Sequence, residues 1–76
     1  MSKTIFEILT LSEKVLKESG IARPRREAEE LIADVLDKRR LDLYLAYDRP
    51  LEEGELEGIR KALRRRKEGE PTPYIG

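Results

Sequence analysis

Apolar residues recur every three to four positions along most of this chain, a spacing that predicts amphipathic helices. Near the start, Thr4 and Glu7 have the spacing of a capping box, in which each side chain satisfies a free backbone N–H. Gly20 is a suitable C-terminal stop. We predict a helix over residues 4–19, although residues 4–11 are also rich in strand formers. Its apolar face, interrupted by Ser12, consists of Ile5, Ile8, Leu9, Val15 and Leu16.

The second periodic segment gives the clearest helix prediction, over residues 24–38. Pro24 suits a first helical turn, where its missing N–H would have been unpaired anyway. Acidic residues gather at the start of the segment and basic residues at its end, as the helix dipole prefers. One apolar stripe follows the helical spacing and consists of Ala28, Leu31, Ile32, Val35 and Leu36.

Residues 41–47 alternate between apolar and other side chains, so a strand is conceivable there. A lone strand has no partner, however, and even isolated hairpins are marginal. We therefore predict a short helix with Leu41, Tyr44 and Leu45 facing inward, ended before Pro50 because the residue before proline avoids the helical region. The rings of Phe6, Tyr44 and Tyr47 are expected in the core or at its edge.

The last long helix is predicted from about Glu52 to Lys67, with an inward stripe of Leu56, Ile59 and Leu63. Gly58 inside it costs about 1 kcal/mol relative to alanine and is expected to allow close helix packing. Gly69 ends the helix. Four amphipathic segments with short connections predict an all-α fold, a small compact bundle of four main helices.

Length and composition restrict the possible functions. A chain of 76 residues is one small domain with little room for a cofactor pocket of several hundred cubic ångströms. It has no cysteine and no histidine, which removes disulfides, thiolate chemistry, the usual zinc sites and an imidazole base. Its longest uncharged apolar run, residues 43–47, is too short for a membrane span, and a cysteine-free chain fits the cytosol. We expect no catalysis from these residues alone.

Six positive charges lie within residues 60–67, although the whole chain has 16 basic and 16 acidic residues. Three interpretations remain open: a solvated helix end that complements its dipole, a protein interface, or an independent nucleic-acid-binding helical module. Successive helical residues point in different directions, and the net charge is zero, so nucleic acid is the weakest of the three. The six residues are Arg60, Lys61, Arg64, Arg65, Arg66 and Lys67.

Over essentially its whole length the chain resembles the N-terminal domain of the HemK/PrmC family of release-factor glutamine methyltransferases. The most specific part is the closing segment, which matches that family's junction between its helical and catalytic domains. It ends Tyr74-Ile75-Gly76, one residue shorter than the Tyr-Ile-x-Gly ending of the family pattern. Its matching residues are Arg65, Arg66, Gly69, Glu70, Pro71, Tyr74, Ile75 and Gly76.

This resemblance implies a five-helix bundle whose fifth element is a short turn after Pro71. Residues 1–69 would be the substrate-recognition domain, and residues 70–76 would begin the linker to a Rossmann-like catalytic domain of the same chain. The residues implied to contact that domain or a partner are Arg65, Arg66, Gly69, Glu70, Pro71 and Tyr74.

For the parent protein, the resemblance implies a cytoplasmic transferase that acts in translation termination. It would move a methyl group from S-adenosylmethionine to the glutamine of the Gly-Gly-Gln motif of peptide-chain release factors. Residues 71–74 read Pro-Thr-Pro-Tyr where the family's catalytic signature is Asn-Pro-Pro-Tyr. The asparagine and the glycine-rich cofactor turn are missing, so the resemblance carries no catalytic, cofactor-binding or metal-binding residue onto this chain.

Overall fold

A computed structural model describes residues 3–69 as an all-α fold of four helices. They are α1 (Ile5–Glu18), α2 (Pro24–Leu36), α3 (Arg40–Leu45) and α4 (Glu53–Lys67). The predicted fold class is thus confirmed for this part of the chain, and the fifth turn expected after Pro71 lies outside it. Within these residues, no helix combines the length and the apolar character needed to cross a bilayer.

Local capping fixes both ends of α1 and removes its helix-or-strand ambiguity. The Thr4 N–H donates to Glu7 Oε1 at 2.9 Å, and the Glu7 N–H donates to Thr4 Oγ1 at 3.2 Å. At the other end Gly20 has a φ of +84°, and its N–H donates to the Lys17 carbonyl. The predicted helix over residues 4–19 is therefore confirmed to within one residue at each end.

α2 begins at Pro24 as predicted but ends at Leu36, two residues early. Asp37 takes a left-handed conformation with a φ of 56°, and the Lys38 N–H turns back to the Ala33 carbonyl. The basic residues expected to complement the dipole of α2 therefore lie beyond its end.

The core forms where α2 packs against α1, α3 and α4. The predicted apolar stripes of α1, α2 and α4 contribute to it, although Ile8, Val35, Leu36 and Leu63 are only half-buried and the half-buried Val15 does not pack against the core cluster. Ser12, which interrupts the stripe of α1, is fully buried in the same cluster. The buried apolar residues are Ile5, Leu9, Leu16, Ala28, Leu31, Ile32, Ala33, Leu43, Leu51, Leu56 and Ile59.

The prediction for α3 was right about the helix and wrong about its inward face. Leu41 and Leu45 are 63% and 75% exposed and Tyr44 is 43% exposed, whereas Leu43 is fully buried. The reason lies on α2, where the carboxylate of Glu29 binds the side chains of Arg40 and Tyr44 and so determines how α3 is rotated.

The start of α1 is fastened to the connection between α3 and α4. The first amides of α1 would otherwise lack partners, and here Ile5 donates to the Arg49 carbonyl at 3.0 Å and Phe6 to the Tyr47 carbonyl at 2.8 Å. The rings of Phe6 and Tyr47 meet edge to face, with centroids 6.2 Å apart. Both rings are about half exposed, so they lie at the edge of the core.

α4 lies against α2 at Gly58, where the sequence led us to expect close helix packing without indicating the partner helix. A Cβ atom built at Gly58 would come within 3.0 Å of Val35 Cγ1, so the glycine permits the close approach. The helix ends at Lys67, and Gly69 has a φ of +99°, which glycine adopts without strain.

Candidate functional site

The basic end of α4 borders an open groove against α1. Arg60, Arg64 and Lys67 recur at helical spacing on one side of α4, so they share a face. With Val15, Leu63 and Glu68 they line a space of about 520 Å³. We call this the α1–α4 groove. Its rim is charged and its floor, formed by half-buried valine and leucine, is apolar.

The charges of the groove are only partly compensated. Arg60 Nη1 lies 3.4 Å from Glu57 Oε2, and both side chains are more than half exposed. Neither Arg64 nor Lys67 forms an ion pair with another residue of the described range 3–69. The groove therefore presents positive charge that the described part of the domain does not itself neutralise.

Arg66 faces away from the groove and into the domain. Its Nε and Nη2 atoms donate to the two carboxylate oxygens of Glu27 on α2, at 2.6 and 3.0 Å. The two side chains are only 19% and 18% exposed. The hydrogen bonds from Arg66 to the Glu27 carboxylate raise the pKa of the guanidinium. This residue, predicted as an interdomain contact, thus ties α4 to α2.

Of the other predicted contact residues, only Arg65 and Gly69 lie in the described part of the chain. Arg65 is exposed on α4 next to Arg66, and Gly69 forms the turn that ends the helix. Glu70, Pro71 and Tyr74 lie outside residues 3–69. Their role in contacting another domain or a partner stays a prediction.

A second exposed surface, which the sequence did not predict, lies on α3. Glu29 has only 11% of its side chain exposed. Its carboxylate accepts a hydrogen bond from the Tyr44 hydroxyl and forms an ion pair with Arg40, whose Nε lies 3.2 Å from Oε1. With Tyr44 and Arg40 held in this way, Leu41 and Leu45 point outward one helical turn apart. The signal in the sequence was Glu29, a carboxylate placed next to Ala28 on the apolar face of α2.

The described residues do not fit S-adenosylmethionine. A nucleotide-type cofactor in a Rossmann-like domain sits on a glycine-rich turn between a strand and a helix. Here Gly54 and Gly58 lie inside α4, while Gly20 and Gly69 follow helix ends. Residues 3–69 also contain no group of three or more acidic side chains arranged to hold a metal ion.

Comparison with protein families matches residues 7–75 to the family described as PrmC N-terminal domain. The chain belongs to this family. The match spans the groove, all of α2, α3 and α4, and most of α1, and it confirms the resemblance stated above. No solved structure gives a significant match to the chain.

Curated relatives of the chain also indicate this family. The chain is 42% identical to the release factor glutamine methyltransferase of Chlorobaculum tepidum over 72 residues, which is 95% of this chain and 24% of that protein. The proteins of the same name from Leptospira interrogans and Geobacter sulfurreducens are 38% and 36% identical over 72 residues, 95% of this chain and 25% of each. The chain thus spans about a quarter of the length of these relatives.

Proposed function

We propose that the chain is the substrate-binding domain of a release factor glutamine methyltransferase. The observation that carries the proposal is the family match over residues 7–75, together with three relatives of that name at 36% to 42% identity. In this proposal the parent protein transfers a methyl group from S-adenosylmethionine to a glutamine of a release factor in the cytoplasm. The part contributed by the present residues is recognition of the protein substrate.

The surfaces of the helices support the proposal that these residues recognise the substrate and do not catalyse the reaction. The described residues offer no cofactor turn, but they present a charged groove and an exposed apolar pair on α3, both suited to protein contacts. We propose that residues 1–69 form the recognition domain and that residues 70–76 begin the linker to the catalytic domain. Arg65, Gly69, Glu70, Pro71 and Tyr74 would contact the catalytic domain or the release factor, with Arg66 holding the end of α4 in place.

The proposal is tested by methyl transfer with the full-length gene product. Intact enzyme should methylate a whole release factor with a much lower KM than a short peptide carrying the same glutamine. A variant lacking residues 1–69 should show a KM for the whole factor raised roughly tenfold or more, because a second binding contact is lost. Its KM for the peptide should stay unchanged, which also verifies that the catalytic part is folded.

Two results would contradict the proposal. One is an intact enzyme that does not methylate release factors. The other is a truncated enzyme that retains the wild-type KM for the whole factor. The nucleic-acid alternative has no support from the comparisons or from the described residues, where Arg60 and Arg66 of the basic cluster are paired with carboxylates. Binding of RNA or DNA that weakens steeply with salt would reinstate it.

A further inference from the structure

The α1–α4 groove combines uncompensated positive charge with an apolar floor. We propose that it is the docking site for an acidic segment of the release factor that carries an apolar side chain. The proposal rests on the proposed function, since it takes the release factor as the partner. It adds the location of the contact and the chemistry of the segment that fills it.

Two unpaired cations on one face of α4 border this groove. Most arginines of residues 3–69 are paired with an acidic residue on the same or a neighbouring element, whereas exposed lysines such as Lys17 and Lys61 also form no ion pair in that range. Arg64 and Lys67 make no such pair within residues 3–69, and they lie three residues apart on one face of α4. Arginines paired with carboxylates in the described range are Arg25, Arg26, Arg39, Arg40, Arg49, Arg60 and Arg66.

The floor of the groove selects among negatively charged partners. Val15 and Leu63 line the groove and are half-buried. A phosphate backbone would leave this apolar surface without a partner, whereas a leucine or phenylalanine side chain would cover it. Glu68 on the rim also disfavours a dense run of phosphates. A peptide with a few carboxylates around one apolar anchor satisfies both the rim and the floor.

The first experiment reverses the two uncompensated charges in the full-length enzyme. Arg64→Glu with Lys67→Glu should raise the KM for the whole release factor about tenfold, because two attractive contacts become repulsive. The kcat, and the KM for a short glutamine peptide, should not change. Raising the salt concentration should weaken wild-type binding more than binding by the variant.

A matched variant controls for the change in net charge. Lys17→Glu with Lys61→Glu introduces the same charge change on α1 and α4, at exposed positions that do not line the groove. Lys17 lies in the last turn of its helix, as Arg64 and Lys67 do. The control variant therefore also loses a favourable contact between a cation and the helix dipole. This control should change the KM by less than about twofold. Equal effects of the two double variants would overturn the proposal.

The second experiment identifies the occupant. Clusters of Asp and Glu in the release factor are changed to Lys one segment at a time, and each variant is tried with the Arg64→Glu, Lys67→Glu enzyme. One segment should restore the low KM with this enzyme and impair the wild type. No restoring segment, or loss of RNA binding as the only effect of the charge reversal, would overturn the proposal. So would a fall in melting temperature with an unchanged KM, since the groove would then be covered by the enzyme's own chain.

The two proposals fail in distinguishable ways. If wild-type enzyme does not methylate release factors, the proposed function itself is wrong. If wild-type enzyme methylates them and the charge reversal leaves the KM unchanged, only the assignment of the groove is wrong.

Discussion

The pair between Glu27 and Arg66 should be a major contact between α2 and α4. Two hydrogen bonds, at 2.6 and 3.0 Å, join a planar guanidinium to a planar carboxylate, and less than a fifth of either side chain is exposed. Such a bidentate, charge-assisted arrangement is stronger than a surface ion pair because water competes with it poorly. The perturbation is Glu27→Gln, Arg66→Gln and the double variant.

The geometry sets the expected magnitude. A hydrogen bond to a charged group contributes about 1.5–3 kcal/mol, whereas exposed ion pairs contribute about 0–1 kcal/mol. For this partly shielded pair we expect a coupling free energy of about 1–2 kcal/mol. Either single variant should lower the free energy of unfolding by about 2 kcal/mol, because it leaves a shielded charge without its partner. In a domain this small, such a loss lowers the melting temperature by roughly 10 °C.

The assay is urea unfolding followed by helical circular dichroism, arranged as a double-mutant cycle. Glu57 and Arg60 provide the control, because they form a 3.4 Å pair within α4 whose two side chains are 56% and 54% exposed. That pair should show a coupling free energy of at most about 0.5 kcal/mol. A Glu27–Arg66 coupling no larger than the control would refute the reasoning, and so would strong weakening of the coupling by moderate salt.

Three further predictions concern stability. Gly58→Ala should destabilise the domain by about 1–2 kcal/mol in urea unfolding, since its Cβ would press on Val35 Cγ1. In a Val35→Ala background the same change should instead stabilise the domain by up to about 1 kcal/mol, because alanine favours the helix. A loss of stability in that background would contradict this explanation. Ser12→Ala should raise the melting temperature, because Ser12 Oγ is buried without a hydrogen-bond partner in residues 3–69, and a fall would count against this. The hydrogen bond from the Thr4 N–H lowers the pKa of Glu7 from its usual value of 4.5, so the stability that ionised Glu7 contributes is present above pH 4.5 and is lost as the pH falls. Glu7→Gln should therefore make the stability of the domain less dependent on pH in the acid range. Parallel stability profiles of the variant and the wild type would contradict this.

The sequence predicted α1, α2 and α4 well because their signals are local. A capping box, a proline at a first turn and a glycine after a last turn act within a few residues, and three long stripes repeat the same spacing. In α3 the signal is not local. Leucines at positions 41, 43 and 45 offer both faces of a six-residue helix to the core, so periodicity cannot choose between them. Glu29, on a different helix, decides the choice by holding Arg40 and Tyr44.

The candidate site was predicted less completely for a related reason. Three consecutive arginines are equivalent in composition, yet Arg64 lines the groove and Arg66 binds Glu27, 39 residues earlier in the chain. The periodicity of α4 nevertheless contained the distinction. The inward stripe Leu56, Ile59 and Leu63 continues at the same spacing to position 66.

A cation that continues an apolar stripe favours a carboxylate partner on another helix, because an unpaired charge is costly to shield from water. The position of Arg66 therefore predicts an acidic partner, which Glu27 supplies. It also bears on the proposed function, since a contact made inside the domain is not available to a partner. Arg66 would then affect methylation through the placement of α4, and Arg66→Gln should impair it only to the extent that it also destabilises the domain. An effect on the KM for the release factor in a variant of undiminished stability would instead make Arg66 a direct contact.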